Sequence, residues 1–303
     1  MIEILKKTNI DFMGKKNYAF VFSGLIFILG IIAIVQIAKG KANLGIDFTG
    51  GTAVQIKFEK TVVLSEVRKA LEKGGLKDFD LQDMPVEKKL LIRVKKEEDT
   101  LGGFSEKIVS ILSITFSDQK LVVDSTTEIG PKVGERLRKD ALWAIMAATA
   151  GLLIYIAWRF QFRFGIGATI ATLHDVFGVL AFFYIFNREI NLIVVSALLA
   201  IAGYSLTDTV VVFDRIRENL KIKLRESVGA VVNQSINEVL SRTIITSLTT
   251  LLAALALFLF GGEVIHDFAL AIIIGILFGT FSSIFVASPI VLLWGGKRPF
   301  AKK

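Results

Sequence analysis

A bilayer core of roughly 30 Å takes about 20 apolar residues of α-helix. Six stretches of the sequence have that character: Tyr18–Ala38, Ala141–Trp158, Phe164–Phe186, Ile190–Phe213, Ile244–Gly262 and Phe268–Trp294. Between the first and second lies one long polar interval, residues 39–138, whose pattern changes from continuous apolarity to short periodic runs. Thr52–Phe58 alternates as a strand, Ser65–Lys73 has helical spacing, Phe79–Met84 and Leu90–Lys95 read as two strands, Phe104–Phe116 as an amphipathic helix and Leu121–Glu128 as a last strand. The order β-α-β-β-α-β predicts a ferredoxin-like α+β sandwich, a fold that hosts many functions and assigns none. Gly130-Pro131 then breaks the strand before Lys132–Asp140 leads into the second span. The predicted fold class is an α-helical polytopic membrane protein of six transmembrane helices with one small α+β domain.

Composition and charge sharpen this picture. The chain has 303 residues, 53% hydrophobic yet 21% charged, and such apolarity coexists with that much charge only if the two are segregated. The net charge of +8 raises the question of nucleic acid, but the basic residues gather at the ends of the apolar stretches, where anionic lipid and topology account for them. Membrane lipid, not nucleic acid, is the expected partner. Lys6, Lys7, Lys15 and Lys16 precede the first span, which is too long for a signal peptide and reads as an uncleaved anchor. Arg159 and Arg163 lie between spans two and three; Arg215, Arg217, Lys221, Lys223, Arg225 and Arg242 between four and five; Lys297, Arg298, Lys302 and Lys303 after six. The opposite loops, Asn187–Glu189 and Glu263–Asp267, hold a single basic residue, so the positive-inside rule puts both termini in the cytoplasm and the polar domain outside.

Ionisable groups within spans carry the chemical information, because a charge at mid-bilayer costs at least about 2.5–3.5 kcal/mol on insertion scales. Asp175 lies near the middle of span three beside His174, Asp208 lies within span four and Arg242 opens span five. Counted from the ends of their spans, Asp208 and Arg242 fall at similar depth and are expected to face each other if spans four and five pack together. Arg242, Thr246, Thr249, Thr250 and Ala253 form a polar or small stripe on one helix face, and Ala200, Tyr204 and Asp208 share a face of the other. Plainer alternatives stand beside this: a static Asp208–Arg242 pair that orients helices, an Arg242 that snorkels to headgroups, and a locally satisfied His174–Asp175 pair. Gly275, Gly279, Ser283 and Ala287 recur at every fourth place in span six and read as close packing.

Other chemistries are excluded by what the sequence contains. With no cysteine and two histidines, thiolate metal sites, disulfides and cysteine nucleophiles are ruled out, and no metal site is expected. Phe164-Gly165-Ile166-Gly167 lacks the preceding strand that a dinucleotide motif requires, and there is no phosphate-binding loop. The chain is therefore not expected to be an enzyme or to hold a cofactor, and energy for any transport must come from a partner or from an ion gradient, with protons the natural currency of a carboxylate beside an arginine.

Several motifs together resemble one family: Gly45-Ile46-Asp47-Phe48-Thr49-Gly50-Gly51, Gly130-Pro131-Lys132-Val133-Gly134, His174-Asp175, Gly203-Tyr204-Ser205-Leu206-Thr207-Asp208-Thr209 running into Phe213-Asp214-Arg215-Ile216-Arg217-Glu218-Asn219, then Arg242-Thr243 and Phe260-Gly261-Gly262. In order and topology they are similar to the SecF family, related to the resistance-nodulation-division exporters. One departure is visible: Thr207 stands where the family usually has Asn. The resemblance implies a subunit that works with SecD and the SecYEG translocon in the bacterial inner membrane, uses the proton motive force to promote late steps of preprotein translocation, and meets unfolded preprotein on the periplasmic side. It further implies that Asp208 is the proton-responsive carboxylate and Arg242 the essential arginine, with Asp175 a third member of the relay.

The implied organisation is a cytoplasmic N-terminus over 1–17, a span at 18–38, a periplasmic domain at 39–138, five spans over 139–296 with a basic cytoplasmic loop at 214–243, and a cytoplasmic tail at 297–303. A half-size exporter, or a structural brace for the channel, is the competing functional reading.

Overall fold

The computed structural model describes residues 8–76, 79–84, 88–95, 103–159 and 162–293. Expectations placed on Lys6, Lys7, the side chain of Arg163, Trp294 and the tail 297–303 lie outside the described residues. The chain divides into two units, Leu44–Trp143 and the remainder.

In the first unit the polar alternation becomes a four-stranded antiparallel sheet. The strands β1 (Gly51–Phe58), β2 (Phe79–Met84), β3 (Lys89–Lys95) and β4 (Leu121–Ile129) lie in the order β2-β3-β1-β4. Val54 pairs with Ile92 and Ile56 with Leu90, so every second residue of the two central strands turns to one face. There the helices α3 (Leu64–Lys73) and α4 (Phe104–Thr115) cover them with Val67, Leu71, Ile108 and Leu112, all fully buried. This is the ferredoxin-like sandwich that the periodicities predict, each element within a residue or so of its expected place.

The glycine-rich segment before β1 contains a single helical turn, α2 (Ile46–Thr49), that the pattern does not announce. Gly50 (φ 76°) and Gly51 (φ 149°) then carry the chain into β1 through backbone angles closed to L side chains. A Cβ at Gly51 would lie 2.4 Å from the backbone oxygen of Val94, and one at Gly134 would lie 2.8 Å from the amide nitrogen of Gly50. The two glycine motifs thus meet, the first turn of the following helix pressing on the Gly50-Gly51 corner. That helix, α5 (Pro131–Arg159), opens with proline in its first turn and runs unbroken through the second span, so Lys132–Asp140 is no separate connector.

The second unit is helical: α1 (Lys16–Ala38), the remainder of α5, α6 (Phe162–Ile185), α7 (Leu192–Ile222), α8 (Val228–Phe260) and α9 (Glu263–Ser282), the last continued by a π-helical turn (Ser283–Ala287) and α10 (Ser288–Leu293). Six of these segments are long and apolar enough to cross a membrane. Their outward faces are apolar, with Tyr18, Trp158 and Phe260 more than 80% exposed, as lipid contact requires. α9 packs against α6, α7 and α8 together. At one end of the bundle Ile190 donates its amide to the Asn43 carbonyl and Arg188 pairs with Asp267 at 2.8 Å.

The polar interval 214–243 is not a loop. α7 continues to Ile222 and α8 begins at Val228, which leaves residues 223–227 as the connection, with Ser227 capping α8 by accepting from the Ala230 amide. Charged residues there are placed at helical spacing to pair across the two helices: Arg215 reaches Glu238 at 2.6 Å and Asn219 donates to both Glu238 and Ser235. The segment before α1 is held to the same place, because Asn233 accepts from the amides of Phe12 and Met13 while Asn233 and Asn237 both donate to the Ile10 carbonyl.

Candidate functional site

The intramembrane carboxylates are brought to one place by α9. Asp175 on α6 is fully buried; its Oδ2 accepts from the hydroxyls of Ser205 on α7 and Ser282 on α9, the latter at 2.8 Å, and its Oδ1 lies 3.0 Å from Nδ1 of His174. Asp208 on α7, 8% exposed, accepts at 2.6 Å from Ser283, the next residue along the chain and the first of the π-helical turn. Consecutive residues of one helix therefore each serve a different carboxylate. Gly279 lies beside both, and a Cβ built there would make ordinary contact with Ser205 at 3.4 Å and Asp175 at 3.7 Å.

One turn away α7 and α9 are tied again, now through α8, Tyr204 donating to Ser247 at 3.2 Å and Thr280 to Ser247 at 2.7 Å. Hydroxyls dominate this core because a small side chain with one donor fits between close-packed helices and satisfies an acceptor that would otherwise be stranded in an apolar interior. The Thr243 hydroxyl on α8 is buried beside Asp208.

Arg242 does not complete an ion pair with Asp208. The helices α7 and α8 pack as expected and put the two residues at similar level, but Thr243, not Arg242, turns toward the carboxylate. Arg242 is exposed, with no carboxylate oxygen within 4.0 Å among the described residues, and acts on Asp208 only through its field. The physical reason is angular: neighbouring residues on a helix point about 100° apart, and the inward face of α8 is taken by Ser235, Leu240, Thr243, Ser247 and Ala254.

The stripe Arg242, Thr246, Thr249 and Ala253 is correspondingly exposed, and so are Ser196, Ala200, Gly203 and Thr207 on α7. Thr207, the departure from the family pattern, donates to the carbonyl of Gly203 and leaves Asp208 untouched. The serines that hold the carboxylates were hidden in the sequence. Ser283 sits in the small-residue stripe that reads as packing alone, Ser205 lies within the family motif with no role of its own, and Ser282 carries no signal other than being polar inside a span.

A polytopic membrane protein with a glycine-cornered α+β insert and a serine-held pair of intramembrane carboxylates defines a class, and comparison with known families identifies it. The family described as protein export membrane protein SecD/SecF, C-terminal, matches residues 110–297, and the SecD/SecF GG motif matches residues 39–62, the segment that holds Gly50 and Gly51. Protein translocase subunit SecF of Thermodesulfovibrio yellowstonii is 62% identical over 297 residues, covering 97% of this chain and 98% of that protein. SecF of Endomicrobium trichonymphae is 42% identical, covering 97% and 94%. Among solved structures, SecDF from Thermus, titled a translocon-associated membrane protein, superposes with a TM-score of 0.80 at 38% identity. That match covers 96% of this chain, which spans 39% of the length of the SecDF polypeptide. The chain belongs to the SecF family.

Proposed function

We propose that this chain is the SecF-type half of a SecDF assembly in the bacterial inner membrane, with both termini cytoplasmic and the ferredoxin-like domain periplasmic. With SecD and the SecYEG translocon it uses the proton motive force to promote late translocation of unfolded preprotein, without enzymatic turnover and without a cofactor. The observation that carries this is the buried Asp208, a carboxylate held by a serine hydroxyl with no cation within 4.0 Å among the described residues, in a chain of this family. An intramembrane carboxylate left without a fixed counter-charge is most readily kept by exchanging a proton.

The open polar faces of α7 and α8 support a partner at this surface. Ser196, Ala200, Gly203 and Thr207 would let a neighbouring helix approach closely, and Arg242 would be enclosed with Asp208 only when SecD covers it. Its guanidinium then serves as the counter-charge to the ionised Asp208.

Arg242→Lys tests this. Lysine keeps the charge but loses the planar fork that fixes a carboxylate, so secretion is expected to fall severalfold with normal binding to SecD, and Arg242→Gln to fall to background. Activity of Arg242→Lys indistinguishable from the parent would instead assign the residue to the lipid headgroups.

A further inference from the structure

His174 is the one member of the buried cluster with no assigned part, and its surroundings fix where its protons sit. Its imidazole is fully buried and ringed by Phe27 of α1 at 5.8 Å and by Phe278 and Phe281 of α9 at 5.8 and 6.0 Å between ring centroids. Nδ1 faces Asp175, while Nε2 is buried and has no hydrogen-bond partner among the described residues. Aromatic faces are negative and accept an N–H, whereas they repel a lone pair. A bare Nε2 would be a stranded acceptor in this apolar setting; a protonated Nε2 is accommodated where a ring inclined to the imidazole, Phe27 at 58° or Phe278 at 84°, offers its face.

Once Nε2 carries a proton, the 3.0 Å contact between Nδ1 and Oδ1 needs one of its own, since a bare nitrogen and a bare carboxylate oxygen would oppose lone pairs. The pair then holds one proton on Nε2 and one between Nδ1 and Oδ1. Its net charge is zero whichever of the two atoms has the shared proton, which is the arrangement a site with no solvent exposure favours. The groups facing the pair are Phe27 from α1, Ser205 from α7, and Phe278, Phe281 and Ser282 from α9; the titratable group that also bears on it is Asp208.

The connection to Asp208 runs through α9 at the place where its register changes. Ser282 donates to Asp175 and Ser283 to Asp208, and Ser283 is the first residue of the π-helical turn. The Ser288 hydroxyl donates to the Ser283 carbonyl five residues back, at 2.8 Å, and steadies that turn. Single π turns within α-helices are frequent at functional sites, and a slip of this turn would displace both serine hydroxyls together.

We propose that His174 and Asp175 form a second proton-holding site, with the shared proton between Nδ1 and Oδ1, and that the Ser282–Ser283 step couples its state to that of Asp208. Loss of the shared proton leaves one negative charge on Asp175, so two neighbouring carboxylates charge in turn and not together. The coupling rests on the proton role proposed for Asp208; the placement of the protons on His174 does not.

The chain has two histidines, which makes the test direct. The full-length chain, copurified with its partner and reconstituted in lipid bilayers, is labelled with 15N-histidine, and His266→Gln removes the other signal. His174 is expected to show a protonated Nε2 and a strongly hydrogen-bonded Nδ1. Asp208→Asn should shift the Nδ1 resonance in the parent but not in Ser283→Ala. A proton on Nδ1 with a bare Nε2, or an Nδ1 signal indifferent to Asp208→Asn, would overturn the proposal. Secretion by Asp208→Asn reports on that residue's proton role separately, so the two failures can be told apart.

Discussion

Asp208→Asn is expected to reduce secretion to that of a strain lacking the chain, while membrane insertion and copurification with SecD stay normal. Asparagine has the same shape, and its side-chain oxygen still accepts from the Ser283 hydroxyl, which donates to the carboxylate at 2.6 Å in the parent. Its amide lies beside the buried Thr243 hydroxyl, which can accept from it. Packing and hydrogen bonding are thus largely kept, and a structural pair would tolerate the change. What asparagine cannot do is take up and release a proton. Normal secretion by this variant, with the protein present at parental level, would remove the obligatory proton role. Reduced membrane level would mean that the substitution had been tested on the wrong property.

The largest effect on stability is expected at the opposite kind of residue, one with no side chain. Gly51→Ala places a methyl group 2.4 Å from the Val94 backbone oxygen and 2.9 Å from Ile46, at a φ of 149°. Strain of this kind costs on the order of 1–3 kcal/mol, and the clash adds to it because a paired strand backbone cannot step aside. Against the roughly 5–15 kcal/mol that holds a small domain together, that is a large share. The insert is expected to become sensitive to limited proteolysis at temperatures where the parent resists. Gly130→Ala is the matched control, since a Cβ there meets nothing within 4 Å, and it should behave as the parent does. Equal resistance of Gly51→Ala and Gly130→Ala would mean that the corner is softer than its geometry indicates.

Much of this architecture was legible because the two solvents of the chain impose different periods. Apolar length marks the spans, and alternation marks β1 and β3, whose buried Val54, Ile56, Leu90 and Ile92 are every second residue. The alternation of spans groups the connections, since the segment at Ile10–Met13 meets Asn233 and Asn237 while Asn43 meets Asn187 and Ile190 at the other end.

The interval 214–243 was misleading for a related reason. Polarity shows where a helix leaves the apolar core, not where it ends, and Arg215, Asn219, Ser235 and Glu238 prolong α7 and α8 by pairing with each other. At the site, Asp175, Asp208 and Arg242 stand out because charge within a span is rare. Which of them touch is decided by helix rotation: one residue's difference puts Thr243 inside and Arg242 outside. Serines are common in packed membrane helices, so Ser205, Ser282 and Ser283 became distinguishable from spacers only when three dimensions showed what each one faces.

The central claim is that proton movement at this site does mechanical work on a passing chain. Its most direct test uses a preprotein stalled midway through the translocon in inverted vesicles that contain SecD and this chain, with ATP removed and an imposed proton gradient. Completion of transport is followed by protease protection. Transport is expected to finish in the parent vesicles, and to stop both when a protonophore collapses the gradient and when Asp208→Asn replaces the parent. Completion at the same rate without the gradient, or with Asp208→Asn in place, would contradict the account and leave this chain as a brace for the channel.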